Sequence, residues 1–217
     1  MPRETVLHRV RTALGRSGGQ PPAPAPDVRL RIPQTDFEER LAQFFEALEK
    51  LGGRGYRARS REEASSCAAA VIGGKTVVAS GAPLLAECGI RNLPSVKSGF
   101  RDAAALRSAC AAAEFGITGA DYALADTGSL VLFSSPEEAR LISLLPPAHL
   151  ALVPAGRLLT GLDELFRLVP LPAQRSSAMV LITGPSRTAD IEQILVRGVH
   201  GPGEIHVIVV EDRETTR

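Results

Sequence analysis

Apolar residues follow two different spacings along this chain of 217 residues, one typical of helices and the other of strands. A spacing of three to four residues is clearest over 36–50, and it also predicts helices over 61–71, 83–88, 100–113, 136–145 and 158–166. Short apolar runs predict strands over 76–80, 130–133, 149–153, 179–182 and 205–210. Strands that alternate with helices predict an α/β fold, a mostly parallel sheet with helices on both faces.

The C-terminal part of the chain predicts a strand–helix–strand unit. The apolar run 179–182 stops at a polar turn, a helix-like segment follows, and the run 205–210 comes after a glycine-rich turn. A turn between the carboxyl end of a parallel strand and a helix is a common place for anionic ligands. We therefore predict a ligand site at this turn, with His200 at the opposite edge of the sheet from Ser186.

A second polar turn interrupts the apolar residues in the middle of the chain, where 116–125 and 130–133 predict a strand, a tight turn and another strand. If the two turns open into one crevice, their side chains and backbone amides form the candidate site. Its residues are Asp126, Thr127, Gly128, Ser129, Thr183, Gly184, Pro185, Ser186, Arg187, Thr188 and Asp190. Hydroxyls and a guanidinium suit a small carboxylate or phosphate, although the same residue types also serve as turn and helix-capping residues.

The N-terminal residues predict a separate element. Val6, Val10 and Leu14 form one apolar stripe of a short helix, which a linker rich in proline and glycine separates from the rest of the chain. We predict two parts, an amphipathic helix with its linker over 1–35 and an α/β domain over 36–217. The helix needs a partner for its stripe, either its own chain or another subunit.

Composition and charge exclude several classes of function. With 25 basic and 24 acidic residues, few aromatics and no tryptophan, the chain lacks the features of a nucleic-acid-binding protein. Cys67, Cys88 and Cys110 are scattered, which predicts reduced thiols and neither a structural metal site nor an iron–sulfur cluster in this chain. No apolar run is long enough for a membrane span and no secretory signal is apparent, so we expect a cytoplasmic protein.

Several motifs together resemble the lactate utilization protein C group of the LUD-domain family. They are Ala125-Asp126-Thr127-Gly128-Ser129, Arg140, Leu145-Pro146, His149, the block 183–192 and the block 198–202. The resemblance implies a fold like that of the ribose-5-phosphate isomerase and CoA-transferase group. It also implies a role in oxidising L-lactate to pyruvate, with iron–sulfur clusters carried by partner proteins and no cofactor bound by this chain. The family more often has Glu at the position of Asp126.

Three functions remain open at this point. The chain is an accessory subunit that binds a small carboxylate, an isomerase-like or CoA-transferase-like enzyme acting on a sugar phosphate or thioester, or an interaction protein without a working site. A transferase of this fold usually needs a nucleophilic Glu in its crevice, for which Glu114 and Glu192 are the nearest candidates. No catalytic residue can be assigned from the sequence, and no set of residues has the spacing typical of metal ligands.

Overall fold

The computed structural model describes residues 2–17, 32–189, 195–198 and 200–211, and it divides the chain into two units, Met1–Leu30 and Arg31–Arg217. In the first unit, α1 (Arg3–Ala13) confirms the predicted helix. Its apolar positions Val6, Val10 and Leu14 are 46%, 49% and 64% exposed.

The second unit contains the remaining elements. Its helices are α2 (Phe37–Lys50), α3 (Arg61–Ile72), α4 (Pro83–Glu87), α5 (Ala103–Ala112), α6 (Leu141–Leu144), α7 (Leu162–Leu168) and α8 (Pro172–Arg175). Its strands are β1 (Arg54–Ala58), β2 (Val77–Ala79), β3 (Val96–Lys97), β4 (Phe115–Gly119), β5 (Tyr122–Leu124), β6 (Ser129–Phe133), β7 (Ala148–Pro154), β8 (Leu158–Leu159), β9 (Met179–Ile182), β10 (Arg187–Ala189), β11 (Leu195–Arg197) and β12 (Glu204–Val210).

A six-stranded sheet forms the centre of this unit, in the order β1-β12-β7-β4-β2-β3, and all neighbouring strands in it are parallel. Successive residues of β12 point to opposite faces of this sheet. Ile208 belongs to a core that includes Ala64 of α3 and Leu85 of α4, whereas Val207 belongs to a core that includes Phe44 of α2. Helices thus cover both faces, and the predicted α/β class is confirmed.

A smaller sheet packs on the α2 side of the large sheet. Its order is β8-β5-β6-β9, with β6 antiparallel to both β5 and β9, and it contributes Leu130 and Leu132 to the core that contains Phe44. The chain passes from the large sheet to the small one between β4 and β5, within the stretch that sequence analysis treats as a single strand. The strands β10 and β11 pair only with each other, as an antiparallel ladder.

The predicted strand–helix–strand unit at the C-terminal end is wrong. β9 lies in the small sheet and β12 in the large one, and the described parts of the intervening segment are the strands β10 and β11, where a helix was predicted. The ladder is closed at its base because Gly198 N donates to Ser186 O over 2.9 Å. Pairing between two short segments satisfies the same backbone groups that a helix would, so the helix-like spacing of apolar residues did not decide the structure.

Candidate functional site

The two polar turns of the sequence-predicted site lie next to each other. Because β6 and β9 pair with Leu130 opposite Ile182, the residues just outside that pair also meet, and the hydroxyl oxygens of Ser129 and Thr183 are 2.8 Å apart. The hydrogen bond between these hydroxyls joins the ends of the two strands. The two turns therefore lie side by side, at the ends of β6 and β9.

The end of helix α2 packs against both turns. A Cβ atom on Gly128, which has a φ of +64°, would lie 2.5 Å from Leu48 N. A Cβ atom on Gly184, at φ +74°, would lie 2.7 Å from the Cβ of Leu51, and Arg187 Nη2 donates a hydrogen bond to Leu51 O. The binding role of these turns stays a prediction, and the helix end fills space that a ligand at the two glycines would need.

The other members of the predicted set are distributed around these turns. Asp126 and Thr127 are exposed, and Asp126 lines a separate hollow with Thr35 and Asp163. Pro185 is buried, Ser186 is half-buried, Thr188 lies in β10, and Asp190 falls outside the described residues.

The expectation that His200 lies at the opposite edge of the sheet from Ser186 is wrong. Ser186 N donates to Pro202 O over 2.8 Å, and a Cβ atom on Gly201 would lie 3.3 Å from the Cβ of Ser186. The helix that was expected to carry the chain across the sheet is replaced by β10 and β11, which return it to its starting point. His200 is exposed beside this junction.

A different crevice lies at the carboxyl ends of three neighbouring strands of the large sheet. It has a volume of about 370 Å³ and is bordered by Ala82 after β2, Gly119 at the end of β4 and Pro154 at the end of β7. Open α/β sheets commonly bind their ligands at this edge. We call this cavity the carboxyl-end crevice.

A buried carboxyl group, Glu138, lines the carboxyl-end crevice. Its residue is 9% exposed, and its Oε2 accepts hydrogen bonds from Ser80 Oγ at 2.9 Å and from Gly119 N at 3.2 Å. The other oxygen, Oε1, is buried and has no hydrogen-bond partner among the described residues. The hydroxyl of Ser135 accepts from Glu138 N at 3.0 Å and so holds the backbone that presents this carboxyl.

Burial raises the pKa of Glu138 to about 8, and the negative charge of Asp121 acts in the same direction. The hydrogen bonds from Ser80 and Gly119 favour the charged form, but their effect is smaller than that of burial. Glu138 is therefore mostly protonated at neutral pH. A protonated carboxyl can donate a hydrogen bond to a ligand oxygen, and a group with a pKa near the working pH suits proton transfer.

An ion pair forms part of the same crevice. Arg175 Nη2 lies 2.5 Å from Asp121 Oδ1, and Asp121 Oδ2 accepts a hydrogen bond from Phe133 N at 2.8 Å. The guanidinium of Arg175 also lies 4.2 Å from the centre of the Phe133 ring. Arg175 is thus oriented by two neighbours, and Asp121 balances its charge.

Glu138 was missed because nothing in the local sequence distinguishes it from its neighbour. Glu137 and Glu138 are adjacent in a segment predicted to be helical, but Glu137 is exposed and Glu138 is buried. The candidate that sequence analysis did name, Glu114, accepts from Thr76 N at 3.0 Å, just before β2 begins. Glu114 therefore lies at the amino end of the strand whose carboxyl end borders the crevice. Glu192 is outside the described residues.

His149 is buried within the large sheet and does not line the crevice. Its Nε2 lies 2.8 Å from Thr118 Oγ1, and burial lowers the pKa of His149 to about 4, with a contribution from His206. Its ring is therefore neutral near pH 7. Among the described residues, no group of His, Cys, Asp and Glu side chains is arranged to hold a metal ion. None of the described helices has the length and apolar character that a membrane crossing requires.

Comparison with known proteins assigns the family. The sequence profile of the LUD domain matches residues 41–210, which includes the whole large sheet and Glu138. The chain belongs to the LUD-domain family. This LUD-domain protein has the same fold as a DUF162 family protein from Deinococcus radiodurans, whose crystal structure matches with a TM-score of 0.65 at 21% identity, covering 82% of this chain and 99% of that one.

Curated relatives match a shorter part of the LUD-domain protein. Lactate utilization protein C of Halalkalibacterium halodurans is 44% identical over 105 residues, which is 46% of each chain. The protein of the same name from Bacillus subtilis is 41% identical over 105 residues, covering 46% of this chain and 44% of that protein. The matched region is thus just under half the length of these relatives.

Proposed function

We propose that this LUD-domain protein is a component of an L-lactate utilization system and binds a small anionic ligand in the carboxyl-end crevice. Its membership of the family and its similarity to two proteins named lactate utilization protein C support the pathway. The observation that carries the ligand proposal is Glu138, a buried carboxyl with an oxygen that lacks a hydrogen-bond partner among the described residues.

In this proposal Glu138 donates a hydrogen bond to a hydroxyl or carbonyl oxygen of the ligand. Protonation removes the negative charge that would otherwise repel an anion, so the crevice can accept a hydroxy acid or keto acid such as lactate or pyruvate. Apolar side chains, among them Leu84 and Phe133, line the same cavity and suit the carbon skeleton.

The pH dependence of pyruvate binding tests this role. We expect the affinity for pyruvate, measured by calorimetry, to fall by up to about tenfold per pH unit above pH 8, because ionised Glu138 then faces an anion. Glu138→Gln keeps a neutral donor and is expected to remove this dependence, whereas Glu137→Gln, a change at the exposed neighbour, is expected to retain it. Equal pH dependence in the wild type and in Glu138→Gln would contradict the proposal.

The redox chemistry of the system is proposed to lie in iron–sulfur partner proteins, which would leave this chain a binding or organising subunit. The purified chain alone is then expected not to reduce an artificial electron acceptor with L-lactate, and activity is expected only when the partner proteins are added. Lactate-dependent reduction by this single chain would refute the division of roles.

Glu138 also favours a second candidate, an isomerase-like or CoA-transferase-like enzyme. Such reactions need a carboxyl group in the crevice, as a proton carrier or as a nucleophile, and Glu138 meets that need. Incubation of the purified chain with a sugar phosphate, or with an acyl-CoA and a carboxylate acceptor, tests this candidate by product analysis. Product formed by the wild type and absent with Glu138→Gln would favour it over the accessory role.

A further inference from the structure

A second cavity of about 320 Å³ lies beside the carboxyl-end crevice. Glu137 lines both, and its backbone O accepts a hydrogen bond over 2.7 Å from the N of Gly81, which lines the second cavity. Ser80 lines the second cavity while its hydroxyl donates to Glu138 in the first. The two cavities are thus neighbours across one short contact, and we call the second one the arginine cavity after Arg91 and Arg101 in its lining.

The arginine cavity has positive charge that neighbouring carboxylates do not balance. Arg91 donates from Nε to the uncharged Ser98 Oγ at 3.3 Å, and Arg101 makes no hydrogen bond or ion pair with the residues that the structure describes. The adjacent Asp102 accepts from Ala105 N at 2.7 Å and so caps α5. Among the described residues that line the cavity, Glu137 is the only acidic one, against two arginines.

The charged groups of the carboxyl-end crevice are already largely paired. Its arginine, Arg175, is already paired with Asp121, and Glu137 adds a further negative charge to the lining. An anionic group that reaches this part of the protein therefore finds its uncompensated partners in the arginine cavity. Guanidinium groups also match the oxygen geometry of phosphate, to which they can donate two parallel hydrogen bonds.

We propose that the arginine cavity is an anion subsite that binds a phosphate-class group of the ligand whose oxygen-bearing end reaches Glu138. This inference rests on the proposed binding role of Glu138. It extends the proposed ligand class to molecules that join a hydroxyl or carbonyl group, placed at Glu138, to a phosphate or pyrophosphate.

Calorimetric titration with pyrophosphate at pH 6.5 tests the subsite without involving the reacting end. We expect Arg91→Gln together with Arg101→Gln to weaken pyrophosphate binding at least tenfold, since one charge-assisted hydrogen bond contributes roughly a factor of ten. Arg107→Gln, at an exposed arginine of α5 outside the cavity lining, is the matched control and is expected to bind as the wild type does.

Glycerol 3-phosphate tests whether one ligand spans both cavities, because it carries hydroxyl groups and a phosphate. Its affinity is expected to fall in the double arginine variant and also in Glu138→Ala. An unchanged affinity in Glu138→Ala would overturn the spanning ligand.

The subsite itself would be overturned if pyrophosphate fails to bind the wild type, or if the double arginine variant and Arg107→Gln weaken binding equally. Urea unfolding of each variant verifies that the protein is folded. If the pyrophosphate results contradict the subsite while pyruvate binding shows the pH dependence expected above, only this inference is removed. Loss of the pyruvate result would instead remove the proposed function on which it rests.

Discussion

The most direct test of the protonated state of Glu138 is the pH dependence of stability, which requires no ligand. The pKa of this carboxyl is near 4.5 in an unfolded chain and about 8 in the folded protein. Below pH 4.5 both states are protonated and the group costs no stability. As the pH rises from 4.5 to 8, the unfolded chain releases the proton while the folded protein keeps it, so stability is lost over this range.

The expected magnitude follows from this difference in pKa. Between pH 5 and pH 7, the difference corresponds to a loss of about 2 to 3 kcal/mol in the free energy of unfolding. Glu138→Gln has no proton to lose, and its amide oxygen can accept from Ser80 and Gly119 as the carboxyl does. The stability of the wild type minus that of Glu138→Gln is therefore expected to fall by about 2 to 3 kcal/mol over this interval.

The assay is urea unfolding of both proteins at pH 5, 6, 7 and 8. Comparison of the two proteins removes the contribution of His149, which has the opposite sign because its folded pKa of about 4 makes stability fall as the pH drops below 6.5. Glu137→Gln, at the exposed neighbour, is the control and is expected to follow the wild type. A wild-type minus Glu138→Gln difference that stays constant between pH 5 and 8 would show that Glu138 ionises normally, and would refute this reasoning.

Three further predictions concern the packing around the turns and the N-terminal unit. Gly128→Ala is expected to lower the free energy of unfolding in urea by at least about 2 kcal/mol, because its Cβ would clash with the backbone of α2. Gly156→Ala, where a Cβ meets nothing, is the control and should change stability by less than about 0.5 kcal/mol. Similar losses in the two variants would contradict the contact. Ser129→Ala should lower the free energy of unfolding by about 1 kcal/mol. If the double variant Ser129→Ala, Thr183→Val loses the sum of the two single losses, the result would argue against a hydrogen bond between these residues. Deletion of residues 1–26 should leave the urea midpoint of the α/β unit unchanged and weaken binding to the proposed iron–sulfur partners in pull-down assays. A lower midpoint or unchanged binding would count against a docking role.

The class of fold could be predicted because the inner strands are apolar on both faces. The runs at β2, β7 and β12 stand out in the sequence for this reason. β1 could not be found in the same way, since it lies at the sheet edge and contains Arg54 and Arg57. The change of sheet between β4 and β5 was also hidden, because residues on both sides of it are buried.

The candidate site shows a different limit. The turns joined by Ser129 and Thr183 could be found because turn residues have a local signature in the sequence. The burial of Glu138 has no such signature, since it depends on Ser80 and Gly119, which are distant in sequence and meet the carboxyl only in the folded sheet. The sequence around Glu138, which is adjacent to the exposed Glu137, therefore does not reveal that the pKa of Glu138 is raised.

The position of β12 has a consequence for how the chain is made. This strand is inserted between β1 and β7, and in the large sheet β1 pairs with β12 alone. During synthesis, β1 leaves the ribosome about 150 residues before its partner, as the register of Arg54 with His206 requires. β1 therefore stays unpaired until nearly the whole domain has emerged. We expect folding to be slow and the nascent chain to need protection during that interval.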